Sequence, residues 1–178
     1  MEFQLEKAID ILDRTPKVMK ELLLGLSEDW TQNNEGQDTW SPYDVIGHLV
    51  HGEKTDWMPR LEIVLSDSED KTFTPYDRFA QFEMSKGKSL EKLLHEFESL
   101  RNENLNTLRS KNLSEKDLTR TAIHPSLGII TLKNMLAAWV VHDLGHIAQV
   151  SRVMAKQYKN EIGPWTQYLT IVKHTPKE

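Results

Sequence analysis

The stretch Thr131–Tyr158, TLKNMLAAWVVHDLGHIAQVSRVMAKQY, contains no proline and keeps a steady apolar period. Leu132, Met135, Leu136, Trp139, Val140, Ile147, Val150, Val153 and Met154 fall on one side at about 100° per residue, so the spacing predicts an amphipathic α-helix. Thr131 suits the N-cap, where its hydroxyl can accept an otherwise unpaired backbone N–H. His142 and His146 are one turn apart, at the edge of the apolar stripe rather than on the solvent face. Two inward imidazoles in this arrangement can share one metal ion. The competing reading is a pair of hydrogen-bonded core histidines, and a third inward ligand would decide between them.

Three more helices follow from the same periodicity. The first covers about Leu5 to Leu26, with Pro16 expected to kink or break it and Gly25 near its end. The second opens on Ser41 as N-cap, Pro42 at N1 and Asp44 at N3, a short capping box, and continues to Val64 with a bend at Pro59. A connection from Ser66 to Lys88 should not be bare coil, and Thr74-Pro75-Tyr76-Asp77 predicts a short helix through Phe82. The third long helix carries Leu90, Leu93, Leu94, Phe97, Leu100, Leu105 and Leu108 on its apolar stripe. Arg101 and Asn104 share that stripe, and His95 faces solvent. Thr119–Ile123 and Ile129–Thr131 read as short extended pieces around His124. The tail has room for one short helix.

At 178 residues the chain is expected to form a single domain, 1–178, with a substantial core. It has no cysteine, so any metal must be held by His, Asp or Glu, and no protein thiol serves as nucleophile. No run of eighteen apolar residues suggests a membrane span, and the acidic, mixed N-terminus is unlike a signal peptide. A cytoplasmic location fits. The net charge of -5, with scattered Lys and Arg, argues against nucleic acid as a partner. The acidic runs Glu28–Asp38 and Ser66–Asp70 read as solvated loops.

Four amphipathic helices without a convincing sheet imply an all-α four-helix bundle with short extra helices. A third ligand must then come from a neighbouring helix. His48 is the first candidate, at the flank of an apolar face. His51 comes second, pointing further toward solvent, and His124 is the least favoured.

Trp40-Ser41-Pro42-Tyr43-Asp44-Val45-Ile46-Gly47-His48-Leu49, followed by Glu53, resembles the second-helix signature of the DinB-like (YfiT-like) proteins. His142-Asp143-Leu144-Gly145-His146-Ile147-Ala148-Gln149 resembles their last-helix signature. The likeness extends to Arg14-Thr15-Pro16 and Tyr76-Asp77-Arg78-Phe79. The resemblance implies an up-down-down-up bundle and a metal triad of His48, His142 and His146. It also implies a homodimer and, for characterised members, thiol-dependent transfer with bacillithiol-type cosubstrates. Other members are described as metal-dependent hydrolases without a known substrate. The expected cofactor is a divalent ion, zinc or nickel first and manganese or iron after them. A low-molecular-weight thiol would join a small-molecule substrate.

Chemically, three neutral imidazoles leave open positions on an ion, which can prepare a water or thiol nucleophile near neutral pH. Glu53, Arg101 and Asp143 are three charges on inward faces. They read first as a buried ion-pair network. The catalytic alternative has Arg101 holding a substrate carboxylate, Glu53 moving a proton and Asp143 orienting a neighbour. Gln149 is expected at the pocket rim and Trp139 as a wall or core residue. A zincin-like protease is disfavoured, because Asp143 is a methylene short of the usual glutamate and falls in the packed face. A non-enzymatic metal- or ligand-binding module is the remaining alternative.

Overall fold

The computed structural model describes residues 1–174, so the last four positions of the expected 1–178 domain lie outside the described residues. The chain forms a four-helix bundle. Helix α1 (Leu5–Leu23) runs unbroken through Pro16, where a kink or a break was expected. Pro16 has no N–H to give the Leu12 carbonyl one turn back. The Arg101 side chain supplies the missing donor, with Nη1 2.8 Å from that carbonyl. The helix therefore continues without leaving that buried acceptor unpaired.

After one turn of helix, α2 (Glu28–Thr31), comes the acidic loop. It is not simply solvated. Glu35 has a side chain only 2% exposed and accepts from Arg152 at 2.7 and 3.1 Å, with Lys156 at 3.3 Å. Helix α3 (Pro42–Thr55) starts on the expected capping box, with Asp44 N donating to Ser41 Oγ and Ser41 N donating to the Asp44 carboxylate. The expected bend proves to be a break at Asp56, before α4 (Trp57–Leu65). Pro59 cannot donate to the Thr55 carbonyl, so the ladder is interrupted one turn ahead of it.

Residues 66–89 make the long crossover that an up-down-down-up bundle needs. Its helix α5 (Ala80–Ser85) begins later than the sequence suggested. Asp77 Oδ1 accepts from Phe79 N and Ala80 N, holding a turn where the helix was expected. Helix α5 lies against α3 at Gly47, where a Cβ would overlap Ser85 Oγ. Helix α6 (Leu90–Ser110) and the short α7 (Glu115–Leu118) follow. The extended pieces pair as an antiparallel hairpin, β1 (Thr121–His124) with β2 (Gly128–Thr131). Phe73 N donates to Ile123 O and Ile123 N to Lys71 O, which ties the crossover to β1. Helix α8 (Leu132–Gln157) begins on a Thr131–Asn134 capping box. Two 3₁₀ turns, Gly163–Gln167 and Thr170–Val172, replace the expected single C-terminal helix.

Helices α1 and α3 each pack against both α6 and α8. The core has two apolar parts. One centres on Leu12, Leu61, Leu105, Leu136 and Trp139, the other on Met19, Ile46, Leu94, Phe97 and Val150. Arg101 sits between them on α6, with its guanidinium 5.0 Å from the Phe97 ring and 5.1 Å from the Trp139 ring. No helix among the described residues is long and apolar enough to cross a membrane.

Candidate metal centre

Helices α3 and α8 bring His48, His142 and His146 together at the floor of a cleft of about 410 Å³. The Nε2 atoms of His48 and His146 each lie 3.0 Å from Nε2 of His142. A neutral imidazole has one ring N–H, and protons alone do not satisfy this arrangement. His146 Nδ1 is 2.8 Å from the Gln149 amide oxygen, an acceptor, so it carries that ring's proton and leaves Nε2 bare. If His142 Nε2 donates to His146, it has no lone pair left for His48. Three converging nitrogens with too few protons suit a cation, and these residues could hold one.

The surroundings favour the neutral, ligating form. Burial, then the neighbouring imidazoles, push the His48 pKa down to about 2. Burial, then His142, push His146 down to about 4. His48 Nδ1 is 3.2 Å from the Tyr76 hydroxyl, which fixes the ring from behind. The Trp40 ring lies 4.9 Å from His48 and stacks on His146 at 6.4 Å. The edge of His142 meets Trp57 at 5.2 Å.

The other expected site residues separate into two groups. Gln149 acts at the centre by holding His146. Glu53, Arg101 and Asp143 lie behind it, and none lines the cleft. Arg101 is fully buried and gives Nη2 to Glu53 at 2.6 Å and Nη1 to Asp143 at 2.5 Å. Asn104 completes the set with Nδ2 2.9 Å from Glu53 Oε2. Burial alone would lower the Arg101 pKa, but the two carboxylates outweigh it and raise it. Arg101 has no free donor geometry for a substrate, so the structure places it in the buried network rather than the catalytic alternative. Asp143 touches the centre only at a distance, with Oδ1 3.8 Å from His142 Nδ1. Trp139 is wholly buried and stacks on Trp57 at 5.2 Å, so it backs the wall instead of forming it.

His51 corrects the helical wheel. It is 5% exposed, deeper than His48 at 8%, and turns away from the cleft toward Met84 Sδ and the Asp77 carbonyl. Sequence reasoning passed over Asp56, Arg60, Tyr76 and Arg78 as lining residues. One signal was available. His48, Gly52, Asp56 and Arg60 recur every four residues, from α3 across the break at Asp56 into α4, and all four line the cleft.

A helical bundle with three convergent histidines on two facing helices defines a class of candidate metalloproteins. Residues 11–150 match the family model described as the DinB superfamily, and the chain belongs to that family. It is 23% identical over 150 residues to a protein of Oceanobacillus iheyensis, covering 84% of this chain and 85% of that one. It is 25% identical over 156 residues to YfiT of Bacillus subtilis, covering 84% of each. Both relatives carry provisional names as metal-dependent hydrolases. The solved structure of YfiT, described as having an unusual four-helix bundle topology, superposes with a TM-score of 0.71 at 22% identity. The match covers 89% of this chain and 87% of that one, and it supports the fold.

Proposed function

We propose that the protein is a divalent-metal-dependent enzyme in which His48, His142 and His146 hold the ion and a thiol cosubstrate supplies the nucleophile. The observation that carries the reading is a three-imidazole cluster opening on a cleft whose one carboxylate already faces an arginine. Asp56 is the one carboxylate lining that cleft among the described residues, and it is ion-paired to Arg60 at 2.9 Å. A bound divalent ion would acidify a thiol or a water and so supply a nucleophile near neutral pH. A thiol needs less help from a protein base than water does, because its own pKa is already lower. Trp40, Trp57 and Tyr76 would shield the reacting carbon from solvent. In the transfer itself the C–S bond forms, the leaving group departs with its electron pair, and the thiol proton passes to solvent.

Hydrolysis is the second reading, supported by the names of the two relatives. One experiment separates the readings. Chelator-treated protein is reloaded with zinc or nickel and supplied with 1-chloro-2,4-dinitrobenzene plus cysteine or glutathione, and separately with p-nitrophenyl acetate alone. Metal-restored, thiol-dependent release of chloride supports transfer, and a sulfur-to-metal charge-transfer band in the cobalt-loaded protein should accompany it. Metal-dependent ester cleavage indifferent to thiol, with no such band, would replace transfer by hydrolysis.

A further inference from the structure

The cleft has a second polar end, built from residues that the metal centre does not use. Arg60 lies on α4, beyond the break at Asp56, and lines the same cleft as His48 of α3. Its Nε is ion-paired to Asp56 Oδ1 at 2.9 Å, its guanidinium rests 5.0 Å from the Phe73 ring centre, and its side chain is only 13% exposed. Its terminal nitrogens have no hydrogen-bond partner among the described residues. A planar fork held at one edge and one face, with its remaining donors unused, is preorganised for a second anion.

His124 stands beside it, edge-on to the same Phe73 ring at 6.3 Å. Its Nδ1 accepts the backbone N–H groups of Ser126 at 3.1 Å and Leu127 at 3.2 Å. The ring proton is therefore on Nε2, which becomes a fixed donor on the cleft wall. Phe73 is 2% exposed and held by its backbone bond to β1, so the platform under both groups is rigid. Arg78 lines the cleft over the Trp40 ring at 5.8 Å, with no carboxylate partner among the described residues. Among the described residues Asp56 is the only opposing charge in the lining, and it is already matched by Arg60. One guanidinium is left in surplus.

From this we infer that Arg60 and His124, assisted by Arg78, bind the anionic head group, a carboxylate or phosphate, of a small molecule whose reactive end faces the three imidazoles. Which end reacts rests on the proposed metal centre. The anion site itself is made only of protein groups.

The test uses the metal-free full-length chain at constant ionic strength. Inorganic phosphate and, separately, acetate are titrated by calorimetry, with tryptophan fluorescence as a second signal from Trp40 and Trp57. Saturable binding is expected for at least one anion, weakened about tenfold or more in Arg60→Gln, which loses charge-assisted bonds. Arg60→Lys, which keeps the charge and loses the fork, should fall between. Zinc stoichiometry of Arg60→Gln should stay at the parent value. No saturable binding, or equal binding by the parent and Arg60→Gln, overturns the proposal. Should Arg60→Gln not fold, an Arg60→Lys chain that binds as tightly as the parent overturns it instead. Loss of zinc binding in the parent chain with phosphate binding intact would overturn the metal reading and leave the anion site standing.

Discussion

His48 and Glu53 leave α3 five residues apart, and His142 and Asp143 leave α8 side by side, yet the two pairs enter opposite environments. Glu53 and Asp143 point into the bundle, where the two carboxylates share the Arg101 guanidinium and each accepts hydrogen bonds from it. His48 and His142 point into the cleft, where ring nitrogens meet each other at 3.0 Å. The first cluster is complete without any outside group and locks α3, α6 and α8 to one another and, through Leu12, to α1. The second is complete only with something added. A buried polar cluster that satisfies itself belongs to the fold, and one that presents like groups to each other belongs to function.

The largest test breaks the complete cluster. Arg101→Met should cost about 3–5 kcal/mol, because it leaves two buried carboxylates without a counter-charge and the Leu12 carbonyl without a donor. Urea denaturation measures the loss, and a change under 1 kcal/mol would make the two clusters alike. The incomplete cluster should respond the other way. His142→Ala should shift the stability of the metal-free protein by about 1 kcal/mol or less. It should also abolish the stabilisation that zinc gives the parent, about 2.7 kcal/mol at a hundred times the dissociation constant. Thermal melts with and without zinc read both effects, and a His142→Ala chain that zinc still stabilises fully would remove this histidine from the ligand set.

The smallest effect concerns a cluster of intermediate burial, Glu35 with Arg152 and Lys156. Burial pushes Glu35 up, but the two cations outweigh it and hold its pKa below the usual value of 4.5. Its contribution is therefore present above the unfolded-state pKa and lost as pH falls through the lower folded one. Glu35→Gln should cost about 1 kcal/mol at pH 7. The difference from the parent should close as the pH drops below about 4. A difference that persists unchanged at pH 3 would mean packing, not charge, holds this loop.

What the sequence revealed follows how locally each feature is determined. The Ser41–Asp44 and Thr131–Asn134 caps lie within four residues, so their chemistry is complete in the string. The His142–His146 pair and the inward Arg101 follow from helical period alone. His51 was misjudged because its burial depends on Asp77 and Met84, which arrive from the crossover. The polar end of the cleft was invisible for the same reason. Arg60, Phe73 and His124 meet only when residues 71–73 pair with β1, a contact that no periodicity encodes. The Asp77 turn similarly delayed α5 and left Tyr76 free to reach His48.

Pro16 and Arg101 are far apart in the chain but share one carbonyl, that of Leu12. This makes the effect of changing either residue depend on the order of change. With Arg101 present, Pro16→Ala brings a second N–H to a carbonyl that already has one donor, so the usual gain from removing a helical proline shrinks. With Arg101 replaced first, the same Pro16→Ala repairs the orphaned carbonyl and becomes beneficial. The proline thus makes the arginine hard to lose, and the arginine makes the proline harmless. Substitutions at these two positions should therefore be inherited as a linked pair.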